Sequence, residues 1–416
     1  MNTPSSWRWR VFAATWLSYA GFYFCRKPFS IVKGTMGEEL AFDATTLGTI
    51  GTAYLLAYTI GQFIAGAAGN KWGPRMLLLG GMAVSAGVNI GFGFGNNVAT
   101  FSALMVLNGL AQATGWANNV GTMAAWFGRA ERGRVMGFWA TCYQVGGVAA
   151  NTMAAWVLGA YGWRYSFFAG SAVLVAVWVF FLFNQRNKPE DLGLPGVVDD
   201  GEAPTPDAGD GGWAWLTGPV LTNMLLVGAF YFFVKFIRYA LWSWAPYFLD
   251  LNFGLEGDDA GYLSTVFDVT GIVGVIAAGY LSDKLFKSRR ALISLLFMLG
   301  MSGACIAMVS IGSNSPTTFA IILGVVGFCL YGPDALMTGA GAMDIGSRRG
   351  ATFVAGVING MGSIGSVVQE LAIGKLYDDS QGDLDPIFQL LMGAALGATV
   401  LIGVVVLRNR LGRSDV

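Results

Sequence analysis

Two pairs of cations stand inside apolar runs that otherwise exclude charge. Arg26 and Lys27 lie in "FYFCRKPFS", within the run Val11 to Ile31, and Lys235 and Arg238 lie in "FFVKFIRYALWSW". A Lys or Arg at the centre of a membrane helix costs roughly 2.5–3.5 kcal/mol on insertion scales, so four of them need a use. Snorkelling toward an interface or structural ion pairing would be a bland use, and Lys235 suits it as well as any. Arginine offers more, because its planar fork grips a phosphate or a carboxylate through two parallel bonds and stays charged at any physiological pH. The chemistry on offer is anion binding. The chain has no histidine, and no nucleophile, metal cluster or phosphate-cradling loop has the spacing that catalysis would need, so an enzyme is the least favoured class.

The elements that must hold these cations follow from composition. With 54% hydrophobic and 12% charged residues and a mean hydropathy of +0.55, the chain lies far from the soluble average of about 25% charged residues. A polytopic, all-α membrane protein in the lipid bilayer is expected. Its 60 glycines fit helices that must approach closely without a hydrophobic drive to associate. A net charge of zero gives no reason to expect a nucleic-acid partner. Cys25, Cys142, Cys305 and Cys329 are scattered through apolar runs, which argues against a disulfide framework, and no cofactor or metal is implied. The first apolar run is of spanning length and lacks a small-residue cleavage site, so no cleavable signal peptide is expected.

Apolar runs of about 20 residues between charged or Gly/Pro-rich breaks predict twelve spans: 9–32, 46–69, 75–96, 99–124, 135–158, 164–185, 219–248, 260–282, 290–312, 317–340, 350–374 and 386–407. Between the sixth and seventh, a Pro-, Gly- and Asp-rich stretch without periodicity reads as a linker, 187–218, joining six-helix bundles at 1–186 and 219–416. Basic residues set the orientation. With cytoplasmic termini, the cytoplasmic loops hold clusters such as Arg129, Arg132, Arg134 and Lys284 to Arg290, against only Lys33, Arg164 and Lys375 outside.

An internal repeat ties the four buried cations together. "GAAGNKWGPR" (Gly66 to Arg75) follows the second span and "GYLSDKLFKSRR" (Gly279 to Arg290) the eighth, sharing Gly-x-x-x-[Asn/Asp]-Lys. Arg26 lies 40 residues before Gly66, and Arg238 lies 41 before Gly279. "YQVGG" and "GMGSIG" keep the same offset, with Gly146 120 residues after Arg26 and Gly362 124 after Arg238. Halves related by an axis along the membrane normal place repeat-equivalent positions opposite each other at the midplane, so both arginines are expected to face one central cavity. Asn70, Lys71 and Arg75, with Asp283, Lys284 and Arg290, read as loop latches at helix ends.

The twelve spans, linker and repeated loop motif resemble the major facilitator superfamily. "YFCRKPFS", "GLAQATGWANN" with "WFGRAERG" behind it, "IRYALWSWAPYFL" and "YGPDALMTGAGAM" resemble, more narrowly, the organophosphate:phosphate antiporter family, over essentially the whole chain. That resemblance implies twelve transmembrane helices in two pseudo-symmetric halves. It implies exchange of a phosphate ester for inorganic phosphate by alternating access, in an inner membrane and as a monomer. It implies phosphate binding by Arg26 and Arg238, and a cavity lined by Tyr19, Tyr23, Tyr58, Trp116, Trp139 and Tyr331. It also implies an ion pair between Lys27 and Asp268, which a buried Asp would need on physical grounds alone.

The departures matter as much. The family's glycerol-phosphate antiporters carry a lysine where this chain has Gln62, a histidine where it has Tyr143 and a tyrosine where it has Lys235. Positive charge is thus relocated, which leaves the organic moiety open. Without histidine, any proton coupling falls to Asp268, Asp334, Glu370 or the phosphate itself. Asp334, after Pro333, reads equally as a cavity group or a cap on a broken helix. If Arg26 and Arg238 are unpaired, an empty cavity that closes buries uncompensated cations at a cost of several kcal/mol, which favours exchange. Neutralisation of Arg238 by Asp268 would instead permit uniport or proton symport. A dicarboxylate exchanger and a membrane sensor of sugar phosphates are the alternatives.

Overall fold

The computed structural model describes residues 4–42, 44–197, 213–254, 263–381 and 383–412. Residues 198–212 of the predicted linker and the side chain of Glu370 therefore lie outside the described residues. The described chain is helical: α1 Pro4–Phe24, α2 Pro28–Leu40, α3 Ala44–Trp72, α4 Pro74–Phe94, α5 Val98–Trp126, α6 Arg129–Trp139, α7 Thr141–Tyr161, α8 Trp163–Asn184, α9 Gly218–Phe253, α10 Val266–Lys284, α11 Arg290–Ile311, α12 Pro316–Ala335, α13 Ala342–Asp379 and α14 Asp385–Arg410. Large apolar side chains such as Phe94, Val148, Trp156 and Leu371 are exposed, the reverse of a soluble core and the pattern of helices solvated by lipid.

By length and composition, nine helical stretches among the described residues can cross a membrane, where twelve spans are predicted. The difference has local causes. The first predicted span is divided between α1 and α2, and the fifth between α6 and α7, whose polar Gln144 and Asn151 lower its hydropathy. The tenth and eleventh run together as Pro316–Tyr377.

Packing divides the chain into two compact units, one of residues 1–128, 139–212 and 346–357, the other of residues 129–138, 213–345 and 358–416. In the first, Phe92 stacks on Phe101 at 5.5 Å and on Phe167 at 5.0 Å between centroids. Gly66 of the repeated motif meets Gly356, where an added Cβ would stand 2.9 Å from the opposing Cα. In the second unit, the equivalent Gly279 meets Gly137, with an added Cβ 3.2 Å from its Cα. Backbone against backbone is the packing that small residues allow and lipid-solvated helices require. The second unit also buries an ion network. Arg290 pairs with Asp283 and places Nε 3.3 Å from Asp344, which Arg132 reaches at 3.0 Å, while the Arg134 backbone N–H donates to Asp283 at 2.6 Å.

Prolines mark two irregular helical segments near the cations. Pro28 opens α2 and carries no N–H, so the helical ladder fails and Cys25 to Lys27 form a turn, with Arg26 and Lys27 N–H both on the Tyr23 carbonyl at 3.1 and 2.9 Å. The Cys25 carbonyl, left outside the helical ladder at this turn, accepts from Asn89 Nδ2 at 3.0 Å and Asn108 Nδ2 at 2.9 Å. In the other unit Pro333 sits inside α12, and a π-helical turn, Leu336–Gly341, follows. Such turns recur at functional sites. Thr338 Oγ1 donates to the Asp334 carbonyl at 2.6 Å across it.

Candidate functional site

In the first unit, the turn before Pro28 aims Arg26 at a wall of neutral groups. Its Nε donates to Gln112 Oε1 at 2.8 Å, and the same oxygen accepts from the Tyr54 hydroxyl at 3.1 Å. The guanidinium carbon lies 4.8 Å from the Tyr23 ring centroid, 5.0 Å from that of Tyr58 and 5.9 Å from that of Tyr54. Such ring faces attract a cation without neutralising it. Arg26 Nη2 is closed off from solvent and has no hydrogen-bond partner, and among the described residues no carboxylate pairs with Arg26. Gln112 is itself fixed, its amide donating to Ser85 at 3.1 Å and Asn108 at 3.2 Å, the same Asn108 that holds the Cys25 carbonyl.

The predicted aromatic residues of this half come together. Tyr19 meets Trp116 at 5.5 Å, Trp139 at 5.6 Å and Tyr23 at 6.1 Å; Trp116 meets Trp139 at 5.5 Å and Tyr143 at 6.3 Å. Trp139 is anchored by its N–H to Thr15 Oγ1 at 3.0 Å. Gln62 is buried on the face of α3 that carries Tyr54 and Tyr58, each one turn from the next. Lys27 is buried at the start of α2. Tyr54 and Gln112 were not among the predicted site residues. The signal for both is a spacing of four, Tyr54 before Tyr58 and Gln112 before Trp116.

In the second unit, α9 presents Lys235 and Arg238 to a charged and polar wall. Arg238 Nη1 lies 2.8 Å from Asp334 Oδ2, and its guanidinium covers the Tyr331 ring at 4.9 Å. The Tyr331 hydroxyl donates to Asp268 at 2.5 Å. Lys235 is buried and does not snorkel: its Nζ donates to Asn359 Oδ1 and Ser363 Oγ, each at 2.9 Å, and stands 5.3 Å from the Tyr231 ring centroid. The expectation of an unpaired Arg238 is therefore corrected. Its partner is Asp334 rather than Asp268, and Asp334 lies in a helix that runs on through Pro333. Asn359 and Ser363 lie in "GVINGMGSIG", where the sequence draws attention to glycines instead.

Comparison with known proteins places this geometry. The model described as Major Facilitator Superfamily matches residues 11–369. A probable hexose phosphate transport protein of Chlamydia pneumoniae is 27% identical over 390 residues, spanning 89% of this chain and 86% of that protein. The glycerol-3-phosphate transporter of Bacillus subtilis is 30% identical over 371 residues, 86% of this chain and 83% of that one. The membrane sensor protein UhpC of Escherichia coli is 26% identical over 388 residues, 89% and 86% of the two chains. Among solved structures, the proton:xylose symporter XylE superposes with a TM-score of 0.73 at 14% identity, over 98% of this chain and 96% of that one, a likeness of fold.

Proposed function

As this chain belongs to the major facilitator superfamily, and within it to the organophosphate:phosphate antiporter family, it is a multi-pass membrane transporter, and we propose that it exchanges a phosphate ester, such as a sugar phosphate, for inorganic phosphate by alternating access. The observation that carries this reading is the state of Arg26. A guanidinium walled by three tyrosines, bonded to one neutral amide and holding one enclosed nitrogen without a partner is prepared for an anion. Enclosing it empty costs several kcal/mol, and a phosphate dianion offsets that cost. The loaded states then interconvert most readily, which is exchange.

Arg238 supplies the second fork, in competition with Asp334. Lys235, fixed by Asn359 and Ser363 and standing apart from Arg238's ion pair, is the cation of its half left to meet the organic moiety. The asymmetry of basic loop residues supports an inner-membrane protein with both termini in the cytoplasm. The likeness to a membrane sensor over 89% of the chain supports a second reading, in which the same phosphate site reports occupancy to a partner.

Uptake of radiolabelled phosphate into liposomes holding the purified protein and unlabelled phosphate tests both readings. Exchange that is competed best by one phosphate ester, and is lost in Arg26→Lys and Arg238→Lys, is the expected result. Folded protein that binds the ester without flux would instead favour the sensor. Exchange competed by dicarboxylates but not by phosphate esters would overturn the substrate class.

A further inference from the structure

Arg238 and its surroundings contain one ionisable group that phosphate binding alone does not use. Asp334 is buried. Its carboxylate holds Arg238 Nη1 at 2.8 Å, with Tyr231 beside it. The other charged and titratable groups of this wall are engaged elsewhere. Lys235 gives its Nζ to Asn359 and Ser363, and the Tyr331 hydroxyl goes to Asp268. Tyr239 lies 5.9 Å from both Arg238 and Lys235.

We propose that Asp334 is a resident competitor for the substrate phosphate at Arg238, and that phosphate binding displaces it and loads it with a proton. The inference rests on the reading of Arg238 as a phosphate ligand. Two anions cannot both stay charged against one guanidinium when one of them is as buried as Asp334, because like charges a few ångströms apart disfavour each other's ionised forms. The carboxylate is the group that yields. Stripped of its cation, it is a buried anion with little compensation, and such a group takes a proton. The proton arrives with the substrate, since a phosphate monoester has its second ionisation near pH ~6. A bound monoanion passes its P–OH proton to the Asp334 carboxylate, leaving a carboxylic acid and a phosphate dianion, with no change in total charge or atoms. The loaded site then carries one proton more than the empty site. Phosphate-for-phosphate exchange is proton-neutral, whereas net phosphate movement carries a proton with it.

The test is binding of inorganic phosphate to the purified protein in detergent, by calorimetry between about pH 6 and pH 8, for wild type, Asp334→Asn and Asp334→Glu. The phosphate's own ionisation is common to all three. Asp334→Asn, which neither competes nor accepts a proton, is expected to bind more tightly than wild type, the ratio of dissociation constants widening by up to about tenfold per pH unit. Asp334→Glu is expected to keep the wild-type slope. Should the asparagine variant not fold, proton uptake by the wild type decides, read from the dependence of the binding heat on buffer ionisation enthalpy. About one proton per phosphate is expected at the alkaline end. Parallel pH profiles in wild type and Asp334→Asn, or no proton uptake, overturn the proposal while leaving the phosphate site intact. No phosphate binding at any pH sinks both together.

Discussion

The two halves of this chain each hold an arginine close to a proline of a membrane helix, yet they satisfy it in opposite ways. Arg26 is held by an amide and three phenol rings, all neutral, and keeps a bare nitrogen. Arg238 is held by a carboxylate. A neutral wall orients a cation and leaves its charge to be used, whereas a carboxylate spends the charge and must be displaced before anything else can use it. The pseudo-symmetric repeat thus supplies two forks of unequal availability, the first standing ready and the second guarded.

The sharpest way to break this contrast is to remove each arginine in turn. Arg238→Gln leaves Asp334 buried without its cation, and a drop of about 3–5 kcal/mol in unfolding free energy is expected, read as a lowered thermal midpoint in detergent. Asp334→Asn added to it recovers most of that loss. Arg26→Gln abandons no buried charge, so its midpoint should stay close to wild type while phosphate exchange disappears. Equal destabilisation by the two single variants would end the distinction. A smaller effect comes from making the first half resemble the second. Gln112→Glu puts a carboxylate on Arg26, and the charge-assisted bond that phosphate must then displace, worth about 1.5–3 kcal/mol, should raise the KM for phosphate at least about tenfold. An unchanged KM would mean that Gln112 does not stand where substrate binds.

The weakest effect belongs to the same ion-pair chemistry moved into water. Arg348 Nη2 reaches Glu190 at 2.8 Å, with both side chains partly exposed. Burial on its own would raise the Glu190 carboxyl, but bonds from its own backbone N–H and from Arg348, with the charges of Arg348 and Lys188, hold it below its ordinary range. Its contribution is therefore full above about pH 4.3, the ordinary value for Glu, and is lost as pH falls through the lower folded value. Exposed pairs are worth about 1 kcal/mol or less. Glu190→Gln should shift the thermal midpoint slightly near neutral pH and not at all in acid, and a shift as large as that of Arg238→Gln would show burial to be irrelevant.

Much of this is written in the sequence because lipid makes charge conspicuous. Arg26, Lys27, Lys235 and Arg238 stand out as cations without water, and the offsets to Gly66 and Gly279 pair the halves. Gln112, Tyr54, Asn359 and Ser363 are harder to find, since a neutral polar group in a span carries no comparable cost and so leaves no such mark. The Arg238–Asp334 pair joins residues 96 positions apart. The choice of Asp334 over Asp268 is made by tertiary packing, which no periodicity announces. The break at Cys25 to Lys27 is different. Pro28 signals it plainly, but an unbroken apolar composition across 9–32 hides it from a reading by hydropathy.

The Cys25 carbonyl, with Asn89 and Asn108 beneath it, also bears on how such a chain can change over generations. Pro28 ends the helical ladder at this turn, and side chains from two other helices supply donors to the carbonyl. Loss of either asparagine weakens the cover on a buried acceptor, and loss of the proline removes what fixes the turn that they cover. None of the four positions needs to touch a ligand, yet each makes the others costly to alter singly. Drift at this corner must proceed by concerted replacement, so the bend that carries Arg26 can persist in lineages whose substrates have diverged.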